Sequence, residues 1–202
     1  MERIGLLGGT FDPPHIGHLI LATVAYDALN LTRILFVPAA DPPHKQQRRK
    51  SPIEVRLAML ERAIAGDSRF GISLVDVNRG GPHYSVDTVR LVQSAFPSSE
   101  LYFLMGSDSL RDLPSWHEPD RLIQHCWLGV YPRPDAPADL ARLTREIPDI
   151  VDRVIWVEGP GVLLSASQIR ARVRGGLSIR YLVPESVRAY IVSRSLYVTD
   201  EV

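Results

Sequence analysis

The stretch Arg3-Ile4-Gly5-Leu6-Leu7-Gly8-Gly9-Thr10-Phe11-Asp12-Pro13-Pro14-His15-Ile16-Gly17-His18 constrains the fold of this chain more than any other. A short apolar run, too short for a buried helix, breaks at a glycine pair. After the prolines, Ile16, Leu19, Ile20, Thr23 and Val24 recur at helical spacing. The pattern predicts a strand, a tight loop and a helix start. Such a junction leaves unpaired N–H groups at the positive end of the helix dipole, where a phosphate is favoured. Gly8 and Gly9 let an anion approach the backbone, and Thr10 adds a hydroxyl. His15 and His18 stand three apart, so both rings face one side. Two imidazoles beside a phosphate cradle point to charge stabilisation in phosphoryl or nucleotidyl transfer. The plain alternative is a pair of solvated surface histidines.

The loop lacks the Lys-Ser/Thr ending of a P-loop. Its His15-Ile16-Gly17-His18 core resembles the (H/T)xGH signature of the adenylyl- and cytidylyltransferase superfamily.

At 202 residues and 45% hydrophobic, the chain is long enough for one full core. We expect a single nucleotidyltransferase domain over 1–202, with a C-terminal helical part from about 165 packed on it. Lys plus Arg equals Asp plus Glu, 23 each, so no global field recruits nucleic acid or a membrane. A nucleotide needs only a local positive patch. The lone Cys126 cannot form an internal disulfide, which fits a reducing cytoplasm. The start reads as a strand rather than a signal sequence, and no apolar run nears the roughly 20 residues that span a bilayer. Homo-oligomerisation is left open.

Further strands are expected at 33–38, 70–77, 101–106, 127–131 and 154–157. Helices are expected at 16–29, from a Ser51 cap to 65, and at 86–95, 119–125, 136–145, 167–173 and 184–196. Their alternation predicts an α/β fold: a Rossmann-like, doubly wound, mainly parallel sheet with helices on both faces. Ligands of such sheets lie beyond the carboxyl ends of the strands, where strand order reverses. The glycine loop, Gly106-Ser107-Asp108 and the Ser165 region all follow strands, so they can share one crevice.

When a nucleotide phosphate attacks the α-phosphate of ATP, the nucleophile is already an anion. The obstacle is charge, so donors and cations around the phosphates are what the protein must supply. His15 and His18 suit this, with their protonation left open because the helix N-terminus opposes it. As metal ligands they would need a third side chain, and none is evident. A second anion site is read at Ser165 and Ser167, hydroxyls at a helix start, with Arg170 one turn on. The alternative is an ordinary serine cap with a solvated arginine. The run from Leu164 to Arg170 resembles the Ile-Ser-Ser-Thr-x-Ile-Arg signature that holds the triphosphate in this superfamily. Leu164, Ala166 and Ser167 depart from it, and Ala166 is given no side-chain role.

Pro42-Pro43-His44-Lys45, the run Gly81 to Thr88, Met105-Gly106-Ser107-Asp108 and Leu113-Pro114-Ser115-Trp116 resemble successive signatures of bacterial nicotinate-nucleotide adenylyltransferases. The resemblance spans the chain with its motifs in order. It implies an enzyme that makes deamido-NAD and pyrophosphate from ATP and nicotinate mononucleotide, with Mg²⁺ held mainly by the ATP phosphates. It also implies that Phe11, Gly106 and Asp108 belong to the ATP side, Asp108 near a ribose. Tyr84, Ser85, Thr88, Trp116 and a backbone N–H near His117 then belong to the nicotinate side, with Lys45 on the mononucleotide phosphate.

Physical checks agree with this division. Trp116 can stack on a flat ring, although burial in the core is the other reading. The helix start near Ser85 favours a carboxylate, whereas an amide NH₂ would face donors with a donor. Acid is therefore expected to be preferred over amide. Arg133 is read as a solvated charge. Rival readings are another small-molecule adenylyltransferase, such as the phosphopantetheine enzyme, a non-catalytic nucleotide-binding module, and an RNA binder. Neutral charge argues against the last.

Overall fold

The computed structural model describes residues 1–40, 50–134 and 136–199. Six strands form one sheet: β1 (Arg3–Gly9), β2 (Arg33–Pro38), β3 (Phe70–Ile72), β4 (Glu100–Gly106), β5 (Trp127–Tyr131) and β6 (Val154–Trp156). Their order is β3-β2-β1-β4-β5-β6, and every neighbouring pair is parallel. The strands are joined through α1 (Ile16–Ala28), α2 (Ile53–Ile64), α3 (Ser85–Ala95), α4 (Ser107–Asp112), α5 (Pro119–His125) and α6 (Leu140–Glu146). After the sheet come α7 (Ala166–Arg174) and α8 (Glu185–Ser193). The expected doubly wound α/β fold is what forms.

Alternating side chains of the central strands fill the two faces. Ile4, Leu6, Leu101, Phe103 and Met105 pack with Val86, Val89 and Val92 of α3 and with Leu122 of α5. Leu7, Tyr102 and Leu104 pack with Leu21, Ala22 and Ala25 of α1. β4 is apolar on both sides because both sides are covered. Gly5 lets the layers close: a Cβ there would lie 2.8 Å from Leu31 and 3.1 Å from Leu104. A third cluster joins Met59 of α2, Ile169 of α7, Val187 and Ile191 of α8, and Tyr197. The last helices are thereby fixed to the first half of the chain. Strand order reverses between β1 and β4, so the crevice opens beyond Gly9 and Gly106.

Several expected boundaries are corrected. The third strand stops at Ile72 rather than Val77, because Val77 and Asn78 both donate to the Leu74 carbonyl and turn the chain. Ser51 does not cap α2: its N–H donates to Asp12 Oδ2 at 3.1 Å, and Pro52 occupies the N-cap. The peripheral helix begins at Leu140, where the Asp139 side chain accepts the Arg142 N–H, and not at Ala136. α8 ends at Ser193, since Ser195 and Tyr197 adopt positive φ and bend the chain back.

Candidate active site

The β1–α1 loop is held from below by buried polar groups. Arg56, 2% exposed, donates to the carbonyls of Ser51, Thr10 and Ala39 at 2.9–3.0 Å. Asp12, 3% exposed, accepts the Ser51 N–H and the Tyr197 hydroxyl. Phe11 turns through φ 51, and its ring packs edge-on against His18 at 5.0 Å. Phe11 is 1% exposed as a whole residue, so its ring is interior packing beneath the loop and not a ligand contact.

His15 and His18 stack, with centroids 3.7 Å apart and planes 23° from parallel. The common face expected from their spacing is therefore present. The His15 N–H donates to His18 Nδ1 at 3.1 Å, which leaves Nε2 as the donor of a neutral His18 ring. His15 is buried, and its pKa is lowered to about 4, first by desolvation and then by the nearby Arg133 charge. The protonation left open by the sequence resolves in favour of a neutral His15 near pH 7. Its Nδ1 is buried without a hydrogen-bond partner among the described residues. Gly17 makes room for that ring, since a Cβ would lie 3.1 Å from Nδ1 and 3.2 Å from Cε1.

One expectation fails here. The first N–H groups of α1 are not an open anion cradle. Ile16 donates to the Leu182 carbonyl at 3.0 Å, and His18 and Leu19 donate to the His15 carbonyl. A phosphate must therefore be met mainly by the side chains and by the Gly8–Phe11 turn.

The late serine–arginine motif arrives at the same loop. Arg170 donates from Nη1 to the Asp12 carbonyl at 2.6 Å and from Nη2 to Ser167 Oγ at 3.3 Å. Ser165 is the N-cap of α7 in a capping box with Gln168, so its side chain first serves the helix. At the end of β4, Asp108 Oδ2 lies 3.5 Å from Arg133 Nη1, and Ser107 Oγ accepts the Arg133 N–H at 2.8 Å. Gly106 permits this arrangement: a Cβ would collide with Asp108 Oδ1 and lie 3.0 Å from Arg133 Cδ. Arg133 is thus a site residue that the sequence reading left in solvent. Nothing local marks it, because its partners are 25 and more residues away.

On the other side of the crevice, Tyr84 stacks on His117 with centroids 4.0 Å apart. Trp116 is half-buried against Phe103, edge-on at 5.9 Å. Ser85 opens α3. Thr88 is corrected: it is 4% exposed, and its hydroxyl lies 2.8 Å from Asp76 Oδ1, so it serves the interior and not a ligand. Lys45 lies outside the described residues. Among the described residues no three His, Cys, Asp or Glu side chains group to hold a metal ion. No helix there is long and apolar enough to cross a membrane.

The cytidylyltransferase-like family pattern matches residues 6–172. A Thermomicrobium roseum protein named "probable nicotinate-nucleotide adenylyltransferase" is 50% identical over 201 residues, covering 100% of this chain and 94% of that protein. A Thermus thermophilus protein of the same name is 42% identical over 195 residues, covering 96% and 99%. This chain belongs to the nicotinate-nucleotide adenylyltransferase family. The family fold recurs in Plasmodium falciparum nicotinic acid mononucleotide adenylyltransferase complexed with NaAD. That structure has a TM-score of 0.78 at 21% identity and covers 98% of both chains.

Proposed function

We propose that one nucleotidyltransferase domain over 1–202 transfers AMP from ATP to nicotinate mononucleotide, giving deamido-NAD and pyrophosphate in NAD biosynthesis. The observation that carries this is the Arg170 bond to the Asp12 carbonyl. It joins the histidine loop to the late serine–arginine turn in a chain that matches the family end to end.

An oxygen of the mononucleotide phosphate attacks the α-phosphorus, and the bond to the bridging oxygen breaks. Pyrophosphate leaves with the electron pair. No proton has to be taken from the nucleophile, so His15 and His18 act as donors to the oxygens on which charge accumulates. A neutral His15 suits this role, because it donates without first needing a proton. Gly8, Gly9, Thr10 and Phe11 present backbone groups to the phosphates, while Ser167, Arg170 and Arg133 add side-chain donors. Ser165 contributes chiefly by capping α7, and Asp108 meets the ribose. Trp116, Tyr84, the N–H near His117 and the Ser85 helix start take the nicotinate ring and its carboxylate, and Lys45 the mononucleotide phosphate.

The family uses a divalent metal, and we propose Mg²⁺. The donor set fits an ion that arrives on the triphosphate: Asp108 is a single half-exposed carboxylate, and Mg²⁺ commonly keeps waters and phosphate oxygens as its other ligands. There it would neutralise charge on the leaving group. A cytoplasmic setting is proposed with it, in keeping with a buried Cys126 whose thiol pKa burial pushes up to about 12.

Purified protein with ATP and Mg²⁺ should release pyrophosphate with nicotinate mononucleotide, and far less with nicotinamide mononucleotide or phosphopantetheine. Turnover with phosphopantetheine alone would replace this reading with its rival. Nucleotide binding without product would reduce the protein to a binding module.

A further inference from the structure

We propose that Asp76 and Arg79 are positioning residues for acid-over-amide choice, because they keep the Tyr84 carbonyl turned away from the nicotinate side. The inference rests on the acceptor site proposed above. Both residues precede the Gly81–Thr88 motif.

Asp76 is 5% exposed. Its Oδ1 accepts from Arg79 Nε at 2.9 Å and from the Thr88 hydroxyl at 2.8 Å, and Arg79 Nη2 completes an ion pair with it at 2.9 Å. Arg79 then fastens the turn that follows: Nη2 lies 3.3 Å from the Tyr84 carbonyl and Nη1 3.4 Å from that of Pro82. His83 Nε2 closes back on the Arg79 carbonyl at 3.1 Å. The Tyr84 carbonyl also receives the Thr88 N–H at 3.1 Å and has the Thr88 hydroxyl at 3.1 Å. Charge-assisted bonds of this kind are the strong ones, and a buried pair is costly to break from one side.

Two consequences bear on the acceptor. Arg79 is held between Asp76 and Asp87, the latter at 3.7 Å, so it is not available as a counter-ion for a substrate carboxylate. Recognition then falls to the N–H groups and hydroxyl at the start of α3. And because the Tyr84 carbonyl is held inward, that start presents donors without a competing acceptor. A carboxylate satisfies donors, whereas an amide NH₂ needs an acceptor. Without Arg79 and the Thr88 hydroxyl, the Tyr84 carbonyl would keep only the Thr88 N–H. That leaves one lone pair for an amide NH₂, and the amide would gain what the acid loses.

The test compares kcat/KM for nicotinate mononucleotide and nicotinamide mononucleotide in the wild type, Asp76→Asn, Thr88→Val and Thr88→Ser. We expect Asp76→Asn and Thr88→Val to raise KM for the acid and to lower the acid/amide ratio by roughly tenfold. KM for ATP should stay within about twofold, and Thr88→Ser, which keeps the hydroxyl, should retain the wild-type ratio. Thr88→Val decides the matter if Asp76→Asn does not fold. An unchanged ratio, or parallel rises in both KM values, would overturn the proposal and leave the pair a structural brace. Failure of the underlying reading looks different: the wild type itself would make no dinucleotide from nicotinate mononucleotide.

Discussion

Tyr197 donates its hydroxyl to Oδ1 of Asp12 at 2.6 Å, across 185 positions of sequence. Both groups are buried, and Asp12 lies three residues before His15. Burial first, then the Asp12 charge, pushes the Tyr197 pKa up, so the hydroxyl is a committed donor. The tail of the chain therefore sets the conformation of the loop at its head.

Replacing Tyr197 with Phe leaves a buried carboxylate short of one donor at nearly constant volume. We expect a loss of about 1–3 kcal/mol, seen as a Tm lower by roughly 2–10 °C. A thermal melt of the variant measures it directly, and an unchanged Tm would mean that the bond contributes nothing net.

His18 carries a donor at Nε2 because Nδ1 is already occupied by the His15 N–H. His18→Ala should lower kcat by roughly 10²–10³ with KM for either substrate little changed, as loss of a transition-state donor does. Steady-state kinetics separate the two parameters. A rise in KM alone would contradict the role.

Gly17 tests steric space without touching a polar group. The added Cβ in Gly17→Ala would press on the His15 ring at 3.1–3.2 Å, tighter than ordinary contact. Displacement of the ring should cost roughly tenfold to a hundredfold in kcat. Circular dichroism would show α1 intact, since alanine is the stronger helix former.

His15 has a folded pKa of about 4 against an ordinary 6.5. As pH falls through 6.5 the unfolded chain takes up a proton that the folded chain refuses, so stability is lost between pH 6.5 and 4. The shift corresponds to about 3 kcal/mol when complete. Denaturant titrations across that range should show the decline in the wild type and a shallower one in His15→Asn. Parallel curves would place the acid sensitivity elsewhere.

How far the sequence foretold this arrangement depended on the range of the interactions. β4 and β5 were legible because a strand covered on both faces is apolar throughout. The histidine pair was legible because helical spacing alone puts two rings together. Beyond Ile72, apolar residues continued the strand pattern, but the Asp76–Arg79–Thr88 bonds draw the chain into a turn. Ser51 looked like a cap until Asp12, 39 positions away, took its N–H. Arg133 looked solvated because Asp108 and His15 are not its neighbours in sequence. Periodicity and cap chemistry are local, whereas the partner of a buried charge is chosen by the whole fold.

The β1–α1 loop is made early and fastened late. Arg170, Leu182 and Tyr197, which grip it, lie more than 150 positions further along the sequence than His15. A ribosome-bound chain halted before residue 170 would have the β1–α1 loop and both imidazoles but none of these three fastenings. Catalytic competence should therefore wait until residues 170–197 have been made, and a protease cut near Gly161 should silence an enzyme whose histidines it never touches.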